Sequence, residues 1–580
     1  MLRSLIFVPK RCVSPTTGVI NVQSPHVNMS MCVRNVAIDI PEQSVLLNPS
    51  PSHTNHPVPL PTPVKPAILR KELLGYDSNK SQYLVEGFCR GFRLGCVGAP
   101  LGSSPQNHKS TRDHVEAINE YILKGIQAQR IAGPFDDPPL TNFVTSPLGI
   151  VPKSEVGKYR VIHDLSFPEG QSVNTYIPRE NSEVQYDTID KVISLVQYFG
   201  RGAFMAKSDI KDAFRIVPIH PSDYHLLGFT WKSKYYYDRC LPMGASSSCK
   251  IFEELSQALV WIMLNKYHAS GISHILDDFF FISSSVEKCR EDLSRFLFLC
   301  NQVNIPINMA KTVAPTTQLI IYGIEVDSLA MECRLPQEKI IKISSKLSDF
   351  CHRKKVHLCE LQSLIGLLNF ACTVIVPGRA FLRRLIDLTC NISKPFHFVY
   401  LTKEARADLS MWFQFISHFN GKSVFLPQQW DSSDYISLYT DASGSIGFAA
   451  VLGSHWFAQS WSKELDHFQI AIKELFPIVL ALEIWGGQLQ NRRILFLTDN
   501  MAIVQIINKQ SSKDKTIMRL IRRLVLACLY NNIHFKAKHI RGKLNVIADK
   551  LSRFQFQAAR QLAPYLEECQ IPIPHSLLHI

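Results

Sequence analysis

Nowhere in the 580 residues do two cysteines stand as C-x-x-C, and no Cys/His group has the spacing of a zinc site. The 15 cysteines are scattered instead. That argues against a zinc finger or knuckle and suits unpaired buried thiols in a reducing compartment. No apolar run approaches the ~20 residues of a membrane span, so no membrane partner is expected. The opening MLRSLIFVPKRC joins a basic residue to an apolar patch too short for a secretory signal, with only a weak match to a mitochondrial presequence. The expected location is therefore intracellular, cytoplasmic or nuclear. Acidic residues are also in deficit, 49 Asp and Glu against 63 Lys and Arg. The resulting net charge of +14 favours a polyanionic partner, with nucleic acid the leading candidate.

What is present is globular: 46% hydrophobic and 19% charged residues. A single core stops growing near ~250–300 residues, so several domains are expected. Residues 1–66 become proline-rich (NPSPSHTNHPVPLPTPVKP) and are expected to form a disordered leader. Residues 67–142 carry helical signals. In HVEAINEYILKGIQAQRIAG, Val115, Ile118, Tyr121, Ile122 and Ile126 recur at helical spacing, with Gly133-Pro134 as the expected stop.

From residue 143, FVTSPLGIVPKSEVGKYRVIHDL alternates around a glycine-containing turn, which predicts a hairpin projecting Lys153, Lys158 and Arg160. Such residues are usually a solvated strand face; a phosphate-binding role needs a nearby site. Phe204–Ile210 then reads as a buried strand ending in Asp209, followed by Lys211-Asp212-Ala213-Phe214-Arg215, a tyrosine-rich hairpin and a long helix from about Ala245. The run HILDDFFFIS predicts two buried strands joined by a tight turn, with Asp277 and Asp278 at its tip. An exposed Asp-Asp turn is the commoner fate of that dipeptide. Two adjacent buried carboxylates would instead call for a divalent cation, oxygen ligands suiting magnesium.

These segments resemble, in order, the motifs of a reverse transcriptase palm. SDIKDAFRIVPI resembles the Asp-x-x-x-x-aromatic motif, CLPMGASSSCKIF the LPQG-like motif and ILDDFFFIS the Tyr-x-Asp-Asp motif. NIPINMAKT with Lys311 resembles the lysine motif, LIIYGIEVD the primer grip, and VPKSEVGKYRVIHDL the fingers hairpin. The resemblance implies that Asp209, Asp277 and Asp278, with the Ile210 carbonyl, hold two metal ions. Magnesium is the expected ion and manganese the alternative. It implies that Lys153 and Arg160 contact the triphosphate, that Phe214 is a steric gate favouring deoxynucleotides, and that Met243, Gly244 and Lys311 belong to the nucleotide site. Gly244 is expected to let backbone approach the incoming base pair. Met243 replaces the glutamine of many retroviral enzymes, and Ile275 the usual tyrosine.

Residues 336–430 hold amphipathic helices, with Leu361, Leu364, Ile365 and Leu368 as a stripe and Arg379, Arg383 and Arg384 adding charge; a thumb or connection fits them. Beyond residue 431 the pattern becomes three antiparallel strands, then alternating helices and strands, with Asp441, Glu474, Asp499 and Asp549 at strand ends and on helix faces. TDASGS, KEL, LTDN and HIRGKLNVIAD resemble ribonuclease H. That resemblance implies four carboxylates around two magnesium ions, assisted by His539 and Asn545. Pro477 departs from the pattern, and requires the helix to begin near Lys473 or to kink.

The expected fold is α+β and multidomain: a right-hand polymerase of fingers and palm (143–335) and thumb or connection (336–430), then a ribonuclease H-like α/β domain (431–555) and a tail (556–580). GPFDDPPLTN, LGIVPK and NFACTVIVPGRAFLRRL look most like DIRS-like tyrosine-recombinase retrotransposons, over a core that gypsy-type elements share. The implied partners are an RNA template, a DNA primer, RNA–DNA hybrid and deoxynucleoside triphosphates; oligomeric state is open. The reading from a different class is a domesticated, non-catalytic nucleic-acid-binding protein that keeps the fold. No protease signature or integrase zinc motif is visible.

Overall fold

A computed structural model describes residues 59–579, apart from 99, 101–103, 154–156, 420–421, 426–430, 433–434, 499, 511, 513 and 540–544. The leader up to residue 58, Asp499 and most of the HIRGKL loop lie outside the described residues. The chain divides into two compact units, one of residues up to 67, 81–183 and 214–251, the other of residues 68–80, 184–213 and 252 onward.

In the first unit, helix Val115–Gln127 buries Ile118 and Ile122 against Leu148, Ile150, Phe229 and Tyr236, the face its spacing predicts. Gly133-Pro134 is not the helix stop. The helix has already ended at Gln127, and Ile131–Phe135 is a strand paired antiparallel with Lys234–Asp238, which in turn pairs with Gly228–Trp231. The ladder shifts between Ala132 and Phe135, and that irregularity accommodates Pro134, which has no N–H to give. Leu148–Pro152 and Tyr159–His163 form the expected hairpin, where the Lys153 N–H donates to the Lys158 carbonyl at 2.8 Å.

The second unit is organised on a four-stranded antiparallel sheet, in the order Gly271–Ile275, Asp278–Ser283, Phe204–Asp209, Val313–Thr316. Its second strand reads as an unbroken apolar run because both faces are covered. Phe279 and Phe281 pack on Phe296 of helix Val286–Val303, with ring centroids 4.7 and 5.2 Å apart, while Phe280 and Ile282 join Val192, Val196 and Met205. That helix is capped by Ser285, whose hydroxyl accepts from the Lys288 N–H.

Strands Gln318–Ile321, Ile324–Asp327, Glu332–Arg334 and Lys422–Val424 make a further sheet, in which Arg334 pairs with Glu325, Asp327 and Glu332 at 2.5–2.6 Å. Helices Gln337–His352, Leu358–Ala371 and Lys403–Phe419 follow. Leu361, Leu364 and Leu368 are buried, as their spacing predicts. The arginines divide: Arg379 is exposed and Arg383 pairs with Asp387, whereas Arg384 turns inward toward buried Asp408.

Strands Leu438–Ala442, Gly447–Leu452 and His455–Ser460 pair antiparallel, and Arg493–Thr498 runs parallel to His534–His539. The helix carrying Glu474 spans Ile470–Trp485, beginning before Lys473, with Pro477 in its interior. Burial on nearly every side holds that helix together where its own ladder loses a donor. The stretch after residue 555 is not a free tail. Helix Phe556–Leu562 is followed by chain laid on the sheet, burying Ala559, Ala563 and Leu566 against Val451 and Trp456. The Trp456 indole donates to the Glu567 carbonyl at 2.8 Å. Among the described residues no helix is long and apolar enough to cross a membrane.

Candidate active sites

Asp209 closes its strand directly opposite Asp278 in the ladder, so two carboxylates distant in sequence meet across one sheet. Asp278 opens the second hairpin strand, and the turn is only Leu276-Asp277. Leu276 takes a left-handed φ of 52°, uncommon for a branched side chain and costing of order 1 kcal/mol or more. Its carbonyl accepts the Ser256 hydroxyl at 2.8 Å, and the Asp277 carbonyl accepts the Ile210 N–H at 3.0 Å. Backbone contacts thus fix the turn from two sides.

Asp209 is buried, while Asp277 and Asp278 are half-buried. Burial, then the charges of Asp277 and Asp209 and a hydrogen bond with Asp209, push the Asp278 carboxyl up to about 6. Lys311, whose ammonium lies 3.1 Å from Asp209, only partly offsets this. The Lys311 ammonium is thus paired with one of the three carboxylates. Among the described residues no group of three or more ligating side chains is drawn close enough to hold a metal ion. The donor set nonetheless fits a hard cation: all-oxygen, crowded, and with one carboxyl driven toward its neutral form by its neighbours.

The protonation shift has a stability consequence. The folded pKa of Asp278 lies above its unfolded value, so the folded state binds the extra proton. The penalty that charged Asp278 places on the metal-free fold should therefore be largest above pH 6 and fade as pH falls from about 6 toward 4. Asp278→Asn is expected to stabilise the chelator-treated protein by about 1–2 kcal/mol at pH 7.5, allowing for solvent screening. Thermal melts across pH 4–8 check this; the gap between variant and wild type should close near pH 4.

Behind the hairpin sits a polar layer that the sequence did not disclose. The His274 Nε2 donates to Glu253 at 2.9 Å, both residues being buried. The Ser273 hydroxyl donates to Asp187 at 2.9 Å and lies 3.0 Å from the Tyr322 hydroxyl. Asp187 also accepts the His274 N–H and is paired with Lys191. These groups come from four separate segments, so no local motif announces them; the only signal was a pair of polar residues in an otherwise apolar strand.

In the first unit, Lys153 and Arg160 are exposed on the hairpin, Phe214 is half-buried and Met243 is 57% exposed. Gly244 meets a constraint within the chain itself. A Cβ there would lie 1.9 Å from the His163 carbonyl oxygen, so it is this chain's own backbone that approaches. Asn174 bridges the same loop, donating to the Gly244 carbonyl and accepting from the Ser246 N–H, both at 2.8 Å. Gly244→Ala is expected to displace the loop and cost on the order of 2 kcal/mol, read as a lowered denaturant midpoint. An unchanged midpoint would contradict the contact. Beside it, buried Asp238 accepts from Arg215 at 2.6 Å and from the His163 Nδ1 at 3.1 Å. Burial opposes the charge on Asp238, but Arg215 and His163 outweigh it and hold its carboxyl below the usual range.

In the C-terminal α/β region, Asp441 lies in the first strand and accepts the Ser552 hydroxyl at 2.5 Å. Ser552 ends helix Val546–Ser552, which carries Asp549; Arg553 pairs with Asp549 at 2.7 Å. Asn545 reaches back, donating to the Thr440 carbonyl at 2.8 Å. The structure thus brings Asp441, Asp549 and Asn545 to one end of the strand. Glu474 is half-buried on the helix packed against that strand. Its neighbour Lys473 is buried and donates to the Gly444 carbonyl and to Asp466. His539 is exposed at the end of the last strand.

Residues 151–336 match the family model of the reverse transcriptase (RNA-dependent DNA polymerase) domain. The chain is 22% identical over 465 residues to the Transposon Tf2-3 polyprotein of Schizosaccharomyces pombe, covering 77% of this chain and 31% of that protein. It is 23% identical over 368 residues to a putative enzymatic polyprotein of Cassava vein mosaic virus, covering 60% of this chain and 53% of that one. It thus spans less than a third of the first relative's length. Among solved structures, a foamy viral protease-reverse transcriptase in complex with double-stranded DNA aligns at 17% identity and a TM-score of 0.46, over 85% of each chain. The same viral protein in complex with RNA/DNA hybrid aligns at 18% and 0.45, over 84% of this chain and 65% of that one.

Proposed function

We propose that this chain, which carries a reverse transcriptase domain over residues 151–336, is an RNA-directed DNA polymerase with an associated ribonuclease H, encoded by a retroelement. The observation that carries the polymerase reading is the placement of Asp209 opposite Asp278, with Asp277 on the intervening turn. Asp209, Asp277 and Asp278, with the Ile210 carbonyl, would hold divalent ions, magnesium in the first instance. Such ions, when bound, stabilise charge on the attacking and leaving oxygens of phosphoryl transfer.

The chain's own groups do the rest. Lys311 holds Asp209 in place; Lys153 and Arg160 supply cationic side chains suited to a triphosphate; the Phe214 ring would exclude a 2′-hydroxyl. Met243 and Gly244 belong to the loop that would face the nucleotide. The substrates in this reading are an RNA template, a DNA primer and deoxynucleoside triphosphates, with RNA–DNA hybrid presented to the second site. There, Asp441, Glu474, Asp499 and Asp549 would hold the ions, and His539 would assist proton transfer. The domain layout we propose is fingers and palm over 143–335, thumb or connection over 336–430 and ribonuclease H over 431–555. We place the element in the DIRS-like type on the peptides GPFDDPPLTN, LGIVPK and NFACTVIVPGRAFLRRL alone.

The two activities should separate. Asp441→Asn is expected to leave a labelled RNA–DNA hybrid uncut while primer extension persists, and Asp277→Asn the reverse. A hybrid left intact by the wild type, or cut equally by Asp441→Asn, would overturn the nuclease half.

A further inference from the structure

A two-stranded ribbon, Lys355–His357 paired antiparallel with Phe398–Tyr400, lies apart from both carboxylate sites in the chain. Its middle residues, Val356 and Val399, are buried, which turns their neighbours to the other side. That outward side holds Phe398 and Tyr400 opposite His357 and Lys355, with Phe396 just before the strand. The rings are unusually open: Phe396 is 66%, Phe398 48% and Tyr400 71% exposed. Three large rings in five residues, left to solvent, do nothing for the core.

The surrounding charge says what would cover them. Lys355 places its ammonium 4.6 Å from the centre of the Phe398 ring, and the His357 imidazole stacks on that ring with centroids 4.3 Å apart. Lys354 and Lys394 are exposed beside them. Asp349 and Glu360, which flank the first strand in sequence, are paired with Arg353. The His357 Nδ1 also donates to the Phe396 carbonyl at 2.9 Å, which holds that ring's backbone against the ribbon. Lysine is depleted at the centre of protein interfaces, whereas exposed rings interleaved with exposed lysines are the composition of a single-strand stacking surface. Phe398 and Tyr400, two residues apart on one strand, are about 6.6 Å apart along it, enough for two successive unstacked bases to meet one ring each, with Phe396 on the turn that leads in.

We infer that this ribbon is a binding platform for unpaired nucleic acid, with bases stacking on Phe396, Phe398 and Tyr400 and the lysines contacting phosphates. The inference goes beyond the polymerase and nuclease reading and does not depend on it. The test uses the full chain and a 12-residue deoxythymidylate oligomer, followed by fluorescence anisotropy over a range of salt. The combined variant Phe396→Ser, Phe398→Ser, Tyr400→Ser is expected to weaken binding by about tenfold or more, with melting behaviour unchanged. Tyr400→Trp should bind at least as tightly as wild type. Lys354→Gln with Lys355→Gln should lower the salt slope by about 1–2. In a bromodeoxyuridine-substituted oligomer, ultraviolet crosslinks should fall within residues 394–400, which distinguishes this surface from any other that binds the oligomer. Unchanged affinity in the triple variant, or crosslinks only elsewhere, would overturn the inference. So would loss of self-association with oligomer binding intact, which would make the patch a protein interface.

Discussion

Primer extension by Asp209→Asn is expected to fall by at least ~10³-fold, with the protein as stable as the wild type or more so. The two halves of that expectation come from one cause. Asp209 is buried and faces Asp278 across the ladder, with Asp277 on the adjoining turn. Neutralising it relieves repulsion in the metal-free protein, while removing a ligand whose loss costs several kcal/mol of transition-state stabilisation, each 1.36 kcal/mol being tenfold in rate. A merely structural carboxylate would behave oppositely, since its loss would destabilise the fold and leave extension proportionate to folded protein. Single-turnover extension and a thermal melt on the same preparation separate these outcomes. A variant retaining more than a tenth of wild-type extension would contradict the assignment.

The second large effect falls on stability. Asp238→Ala should cost about 3–5 kcal/mol, because it strands the Arg215 guanidinium without its carboxylate in a buried site. A guanidinium does not give up its proton in a protein, so the variant cannot escape by neutralising Arg215. The exposed pair Lys234–Asp136 provides the contrast: Asp136→Ala should change the denaturant midpoint by little, since such pairs contribute ~0–1 kcal/mol. Equal effects of the two substitutions would contradict the buried-network account.

The parts of the fold legible in the sequence are those where one segment carries its own signal. The Phe279–Ile282 run announces a strand buried on both faces, and the Asp277-Asp278 pair at its start announces a charge in the wrong place. The spacing of Ile118 and Ile122, and of Leu361, Leu364 and Leu368, fixes which helix face is inward. What remained hidden depends on partners from distant segments. Arg215, Asp238 and His163 mean little individually; the network exists only once three segments meet. The approach of the His163 carbonyl to Gly244 is likewise a contact between distant segments. Ile131–Phe135 reads as a helix stop because Gly133-Pro134 breaks helices, yet an irregular ladder tolerates the same residues. The chain beyond residue 555 shows no strong periodicity, and its order comes from the Trp456 indole and the buried alanines of the sheet it covers. Pro477 sits inside a helix because tertiary burial outweighs a lost backbone bond.

The polymerase claim rests on the Asp209, Asp277 and Asp278 cluster, and RNA-templated primer extension tests it most directly. Wild-type protein with a DNA primer annealed to an RNA template, deoxynucleoside triphosphates and Mg²⁺ should extend the primer to the template end. Asp277→Asn, prepared identically and melting no lower, should leave the primer at its starting length. Failure of the wild type to extend, or extension by Asp277→Asn at the wild-type rate, would contradict the account.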